Sequence, residues 1–147
     1  MRGLDNIPLV FAAAQDLEDL SFDFRGLCFR EIPLEAILGT QKWHRLRSIS
    51  FFSHTLHETD LRTIFERHLD TLRSIWLDCI SLKTGGWRDI AEWMRSYMKL
   101  ERVSLHNLDE RVDSSGVRKI VTTNLEKYVL HGELGELYYQ TEFRDFE

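Results

Sequence analysis

Apolar residues recur along the chain in short segments that share one spacing. Each segment reads as apolar, two variable positions, apolar, one variable position, apolar. The five copies begin at positions 17, 46, 72, 100 and 125, so that successive copies are 29, 26, 28 and 25 residues apart. The end of each copy alternates between apolar and variable residues, which is typical of a strand with one buried face. The pattern predicts strands near residues 17–24, 46–52, 72–78, 100–106 and 125–131.

Between these segments the apolar residues change to spacings of three and four. That spacing places them on one face of a helix, so each interval is predicted to hold an amphipathic helix. The faces consist of Leu34, Ile37 and Leu38; of Leu61, Ile64, Phe65, Leu69 and Leu72; of Trp87, Ile90, Ala91, Met94 and Met98; and of Val117, Ile120, Val121 and Leu125. The pair Gly85-Gly86 marks the break between the third strand and its helix.

A helix and a strand that recur every 25–29 residues resemble the leucine-rich repeat, whose pattern is L-x-x-L-x-L. The resemblance extends from about residue 10 to 134. It implies an α/β fold in a single domain, 1–147: a short leucine-rich-repeat solenoid with parallel strands on the concave face and helices on the convex face. Ile80 and Leu108 stand where that family usually has Asn or Cys, so the register of the strands is better determined than the loops that follow them. Residues 135–147 form an aromatic C-terminal tail.

The third repeat carries a narrower resemblance. Its segment 72–82, followed by Gly85-Gly86-Trp87 and Ile90, is similar to the repeat region of fungal F-box-type leucine-rich-repeat proteins, over about residues 46–110. Members of that family are substrate receptors of cullin-type ubiquitin ligases, so the resemblance implies a substrate-recognition part of a ubiquitin-ligase adaptor. The repeats begin by Leu17 without an F-box before them, so such a role needs a longer parent chain. A structural fragment of a longer array, with no independent function, is the alternative.

The variable positions of the repeats point away from the core, because side chains alternate across a strand. They form three outward columns: Asp19, Ser48, Ser74, Arg102 and Lys127; Ser21, Ser50, Trp76, Ser104 and Val129; and Asp23, Phe52, Asp78, His106 and His131. Exposed aromatic residues at the centre of a surface are typical binding anchors. A protein partner is therefore predicted to bind at Phe52, Trp76, Asp78, Arg102, His106 and His131. In the alternative, Phe52 and Trp76 are covered by a neighbouring segment or by the aromatic tail.

Composition and charge exclude several other classes of protein. The net charge is −5, and acidic and basic residues are interspersed, so the basic footprint of a nucleic-acid-binding protein is missing. The longest apolar run, residues 7–14, is far shorter than the ~20 residues that cross a bilayer, so no membrane is expected. Cys28 and Cys79 form no CxxC pair, which argues against a zinc site or a disulfide framework. Reduced cysteines favour an intracellular protein, cytoplasmic or nuclear.

Motifs that carry catalysis are nearly absent from the chain. The chain has neither the HExxH pattern of zinc proteases nor a phosphate-binding P-loop. The outward histidines His106 and His131, together with Asp78, form the one polar column that suggests a metal-dependent enzyme, and this remains a minor alternative. No enzyme activity, cofactor or metal ion is expected.

Overall fold

The computed structural model describes residues 6–25, 32–112, 116–120 and 122–132, and the backbone alone at 139–140. Over these residues the chain is a mixed α/β protein with a mostly parallel sheet. The helices are α1 (Ile7–Ala13), α2 (Leu34–Leu38), α3 (Glu58–Arg67), α4 (Trp87–Tyr97) and α5 (Thr122–His131). The strands are β1 (Asp19–Asp23), β2 (Ser48–His57), β3 (Ser74–Thr84), β4 (Arg102–His106), β5 (Asp109–Val112), β6 (Gly116–Ile120) and β7 (Tyr139–Gln140).

The first four strands are parallel and lie side by side in chain order. The connections between them contain α2, α3 and α4 in turn, and helices that follow one another in the chain contact each other from α1 to α5. The helices therefore form one layer. β1 and β4 fall within segments for which the L-x-x-L-x-L spacing predicted a strand. β2 and β3 begin within such segments and continue five and six residues beyond the predicted ends at 52 and 78.

One face of the four-stranded part of the sheet is buried. Leu20, Ile49, Ile75 and Val103 align across the four strands, and all of them belong to the core. The next buried row consists of Phe22, Phe51, Leu77 and Leu105, of which only Phe22 is partly exposed. The residues between these two rows face the other way. That opposite face of β1–β4 is called the open face below.

Three residues with left-handed backbone stand at the same register position of neighbouring strands. Ser53, Cys79 and Asn107 have φ angles of 60°, 55° and 50°. Each directly follows a member of the aligned row Phe52, Asp78 and His106. β2 and β3 continue beyond these left-handed residues. The neighbouring segment is instead divided at Asn107 into two strands, β4 and β5, and both pair with β3.

The predicted break at Gly85-Gly86 separates β3 from α4. Gly85 has a φ of 81°, and a Cβ atom at this position would collide with the side chain of Glu58, so glycine is required there. The first backbone N–H groups of α4 are satisfied by two distant carboxylates: Gly86 N donates to Glu58 Oε2 at 2.9 Å, and Trp87 N donates to Glu110 Oε2 at 2.6 Å. Acidic partners at this end also suit the helix dipole.

The predicted fifth strand, 125–131, is wrong. Residues Thr122–His131 form helix α5, whose buried residues Leu125 and Val129 are four positions apart. A short apolar run fits a strand and a helix equally well, and here the helical spacing prevails. Helix α5 packs on β4, where Glu126 Oε1 accepts a hydrogen bond of 2.5 Å from Leu105 N. The helix thus lies where a fifth strand would pair.

The helix predicted from Val117, Ile120 and Val121 is also wrong over its first part. Residues Gly116–Ile120 form β6, which pairs antiparallel with β5, because cross-strand pairing outweighs a spacing carried by so few residues. Within the aromatic tail 135–147, only Tyr139–Gln140 belongs to the described residues, and its backbone pairs antiparallel with β6. The rest of that prediction lies outside the described residues.

Candidate functional site

The strand register brings most of the predicted site together on the open face. Phe52, Asp78 and His106 are direct partners across β2, β3 and β4, and Trp76 lies between Ser50 and Ser104 in the neighbouring row. These are the alignments that the repeat spacing predicted for the outward columns, because equal spacing and a period of two determine which side chains meet.

Three rings form a continuous aromatic row across the open face. The Phe52 and Trp76 ring centroids are 5.8 Å apart with an interplanar angle of 60°, and those of Trp76 and His106 are 6.2 Å apart at 59°. These distances and tilted arrangements are within the range of favourable aromatic contacts. Trp76 is nevertheless 45% exposed, although it stands at the centre of the row. Phe52, Trp76 and His106 are called the aromatic row below.

Short polar contacts lie beside the His106 end of the aromatic row. Ser104 Oγ and His106 Nε2 lie 2.9 Å apart, and Asn107 Nδ2 donates to Asp78 Oδ1 at 2.9 Å. The contact of Asn107 was not predicted from the sequence. The signal in the sequence was the residue type itself. Asn107 has a left-handed backbone, and asparagine is one of the few residues that adopt this conformation readily.

Beside Phe52, the open face ends at an ion pair. Arg25 Nε donates to Asp23 Oδ2 at 2.7 Å, and Arg25 N donates to Asp23 Oδ1 at 3.0 Å. These hydrogen bonds hold the pKa of Asp23 below its usual value. The carboxylate is therefore engaged before any partner arrives.

Arg102 lies away from the aromatic row, at the end of the open face where the strands begin. It is exposed and aligns with Ser74 and Ser48. With Arg47, Arg73 and neighbouring acidic residues it lines a shallow cleft of about 260 Å³. Arg102 thus shares the open face with the predicted anchors without belonging to their row.

His131 does not occupy its predicted place. It is the last residue of α5 rather than an outward residue of a strand, so it has no register position beside His106. The polar column of Asp78, His106 and His131 is therefore not formed by strand pairing. Within the described parts of the chain, no group of three or more His, Cys, Asp or Glu side chains is arranged to hold a metal ion.

A groove that the sequence did not predict lies beyond the left-handed bend of β3 and β4. It has a volume of about 590 Å³ and is called the polar groove below. Its lining residues are Cys79, Ser81, Asn107, Leu108, Asp109, Lys119, Ile120 and Thr122. Burial raises the pKa of the Asp109 carboxyl, which a hydrogen bond from Ser81 and the charge of Lys119 partly oppose. Burial also raises the pKa of the Cys79 thiol.

Two other histidines belong to the core. His68 Nε2 accepts a hydrogen bond of 3.1 Å from Trp43 N, and its Nδ1 lies 2.8 Å from the carbonyl oxygen of Ile64. His54 stacks on Phe24 with the ring centroids 4.3 Å apart. Burial lowers the pKa of both histidines. Their environment indicates structural roles in the neutral form.

Comparison with protein-family models, with curated proteins and with solved structures gave no match to this chain. Among the described residues, no helix has the length and apolar character needed to cross a membrane.

Proposed function

We propose that this chain is a protein-interaction module that binds its partner on the open face. The observation that carries the proposal is the aromatic row, in which a tryptophan is 45% exposed between two further rings. Tryptophan is enriched among the residues that dominate binding energy in protein interfaces. Ser50 and Ser104, on either side of Trp76, are small enough to leave its ring accessible. A partner that covers the row buries apolar surface that otherwise faces water.

For the architecture, we propose a short solenoid of the leucine-rich-repeat type. Support comes from the four in-register strands, from the helix in every connection between them, and from the matching L-x-x-L-x-L spacing. In such solenoids each unit buries its apolar face against its neighbours and presents its strands as a binding surface. A substrate-recognition role in a ubiquitin-ligase receptor is the finer form of the proposal. It depends on the resemblance of the third repeat to fungal F-box-type proteins, and an F-box in the parent gene is its first test.

A structural part of a longer repeat array is the second candidate. Leu9 and Val10 on α1 are each 67% exposed, and a further repeat packed against that helix would cover them. A broad, non-cooperative thermal transition of this chain alone, becoming sharp in a longer product of the same gene, would favour this candidate. A single cooperative transition of the chain by itself would count against it.

The first experiment is an affinity pull-down from lysate of the source cells with the wild type and with the double variant Phe52→Ala/Trp76→Ala. Tyr97→Ala is the matched control, because this aromatic side chain on α4 is 64% exposed but belongs to the helix layer. Circular dichroism establishes that all three proteins are folded. We expect one or more proteins to be retained by the wild type and by Tyr97→Ala and lost from the double variant. Equal retention by all three would refute binding through the aromatic row.

A further inference from the structure

The polar groove continues the open face beyond the aromatic row. Ser81 and Asp109 are direct partners across β3 and β5, and Thr55 aligns with Ser81 from β2. Trp76 and Ser81 are five positions apart on β3, which corresponds to at most about 17 Å along an extended strand. A single extended peptide can therefore contact the aromatic row and the groove together.

Asp109 is the unusual residue of the groove. The residue lies opposite Ser81 in the sheet and lines the polar groove. Its Oδ1 atom, however, is buried and has no hydrogen-bond partner among the described residues. Buried polar atoms are nearly always satisfied, and one that is not needs an explanation. A carboxylate accepts hydrogen bonds and attracts positive charge, so a hydrogen-bond donor satisfies it, and a cationic donor satisfies it best.

We propose that the polar groove receives a basic side chain, lysine or arginine, of a peptide whose apolar side chain lies on the aromatic row. The inference rests on the proposed function, since it assigns the chemistry of the partner on the same face. The net charge of −5 favours a basic partner as well. Lys119 lies opposite Asp109 on β6 and opposes the incoming cation. Removing the charge of Lys119 should therefore strengthen binding, which a purely structural groove does not predict.

The groove is tested by NMR titration of the labelled protein with arginine amide, with the neutral isostere citrulline amide as the matched ligand. We expect arginine amide at millimolar concentration to shift the backbone amide signals of residues that line the groove, and citrulline amide to shift them at least about tenfold less effectively. Asp109→Asn should weaken the binding of arginine amide by about tenfold or more, and Lys119→Ala should strengthen this binding. Asp70→Asn removes the same charge far from the groove and should have no effect. If arginine amide shifts no groove signal, or if Asp109→Asn binds it as the wild type does, the inference is wrong.

A second experiment separates this inference from the proposed function. A random peptide display library is selected on the wild type, on Asp109→Asn and on Trp76→Ala. The wild type should enrich an apolar residue together with a basic residue about five positions away, and Asp109→Asn should keep the apolar preference alone. Enrichment of apolar residues without any basic preference on the wild type would overturn the groove but leave the aromatic row as a site. Identical selections on the wild type and Trp76→Ala would overturn the proposed function itself.

Discussion

Glu110 offers the sharpest test of how the core is held together. It aligns with Leu82 and Leu56 in a buried row and is itself only 1% exposed. Its Oε2 accepts the hydrogen bond from Trp87 N at 2.6 Å, and its Oε1 accepts from Arg118 Nε at 3.0 Å and Nη2 at 2.5 Å. The carboxylate thus joins the start of α4 to the β5–β6 hairpin. We expect Glu110→Ala to be among the most destabilising single changes in the chain.

The size of the effect follows from what each partner loses. The Trp87 N–H group would stay buried without an acceptor, which costs about 1–3 kcal/mol. Removing one partner of a fully buried ion pair costs about 3–5 kcal/mol. The Arg118 side chain, however, is 34% exposed and can turn toward water. Loss of the ion pair between Glu110 and Arg118 therefore costs only about 1 kcal/mol. The expected total is about 2–4 kcal/mol, a large part of the roughly 5–15 kcal/mol by which domains are stable.

The assay is urea unfolding followed by circular dichroism, with free energies obtained by linear extrapolation. Glu92→Ala is the matched control. That glutamate lies 3.3 Å from Arg88 in an exposed i,i+4 pair, which is worth about 0.3–0.5 kcal/mol. Glu110→Gln separates charge from shape, and we expect it to lie between the other two variants. A loss for Glu110→Ala below about 1 kcal/mol, or equal to that of Glu92→Ala, would refute the reasoning.

Three further predictions test the register, the buried histidine and the sheet edge. Leu77→Ala should lower the free energy of unfolding, measured in urea, by about 2–5 kcal/mol. Trp76→Ala should lower it by less, because Trp76 is exposed, and the reverse order would show that the register is wrong. Because burial lowers the pKa of His68 from 6.5, the folded state favours its neutral form; stability is present above that value and is lost as the pH falls below it. His68→Gln should flatten part of this acid dependence of the melting temperature, and an unchanged profile would contradict it. Glu126→Ala leaves Leu105 N without its acceptor at the edge of β4, so self-association measured by light scattering should increase; unchanged mass at high concentration would argue against it.

How much could be predicted from the sequence depends on how many residues carried each signal. The outward position of Trp76 followed from four matching segments, in which a shift of one residue would expose every core side chain. The fifth segment had no such support, because Leu125 and Val129 also lie on one face of a helix. An apolar pattern also treats every charged residue as exposed, so the burial of Glu110 was missed. Glu110 is buried with Arg118 as its partner, and Arg118 lies on β6 of a hairpin that was not predicted.

The polar groove could not be predicted for a different reason. Asp109 and Ser81 meet only after the left-handed bends at Cys79 and Asn107, and no periodic pattern of apolar residues reports a backbone of that kind. Asparagine alone would have been a weak signal, because it is common in turns of every type.

The left-handed bends separate the aromatic row on the open face from the polar groove beyond it. A non-glycine residue in this conformation costs about 1–2 kcal/mol, and asparagine bears it more easily than serine or cysteine. Ser53, Cys79 and Asn107 nevertheless adopt it at one register position of three neighbouring chain segments. The aromatic row lies before the bend, and the row that ends in Asp109 lies after it. Since the strain is repeated where the two regions meet, we interpret it as serving the proposed binding surface rather than the core. In that proposal the aromatic row and the Asp109 carboxylate are presented to one partner.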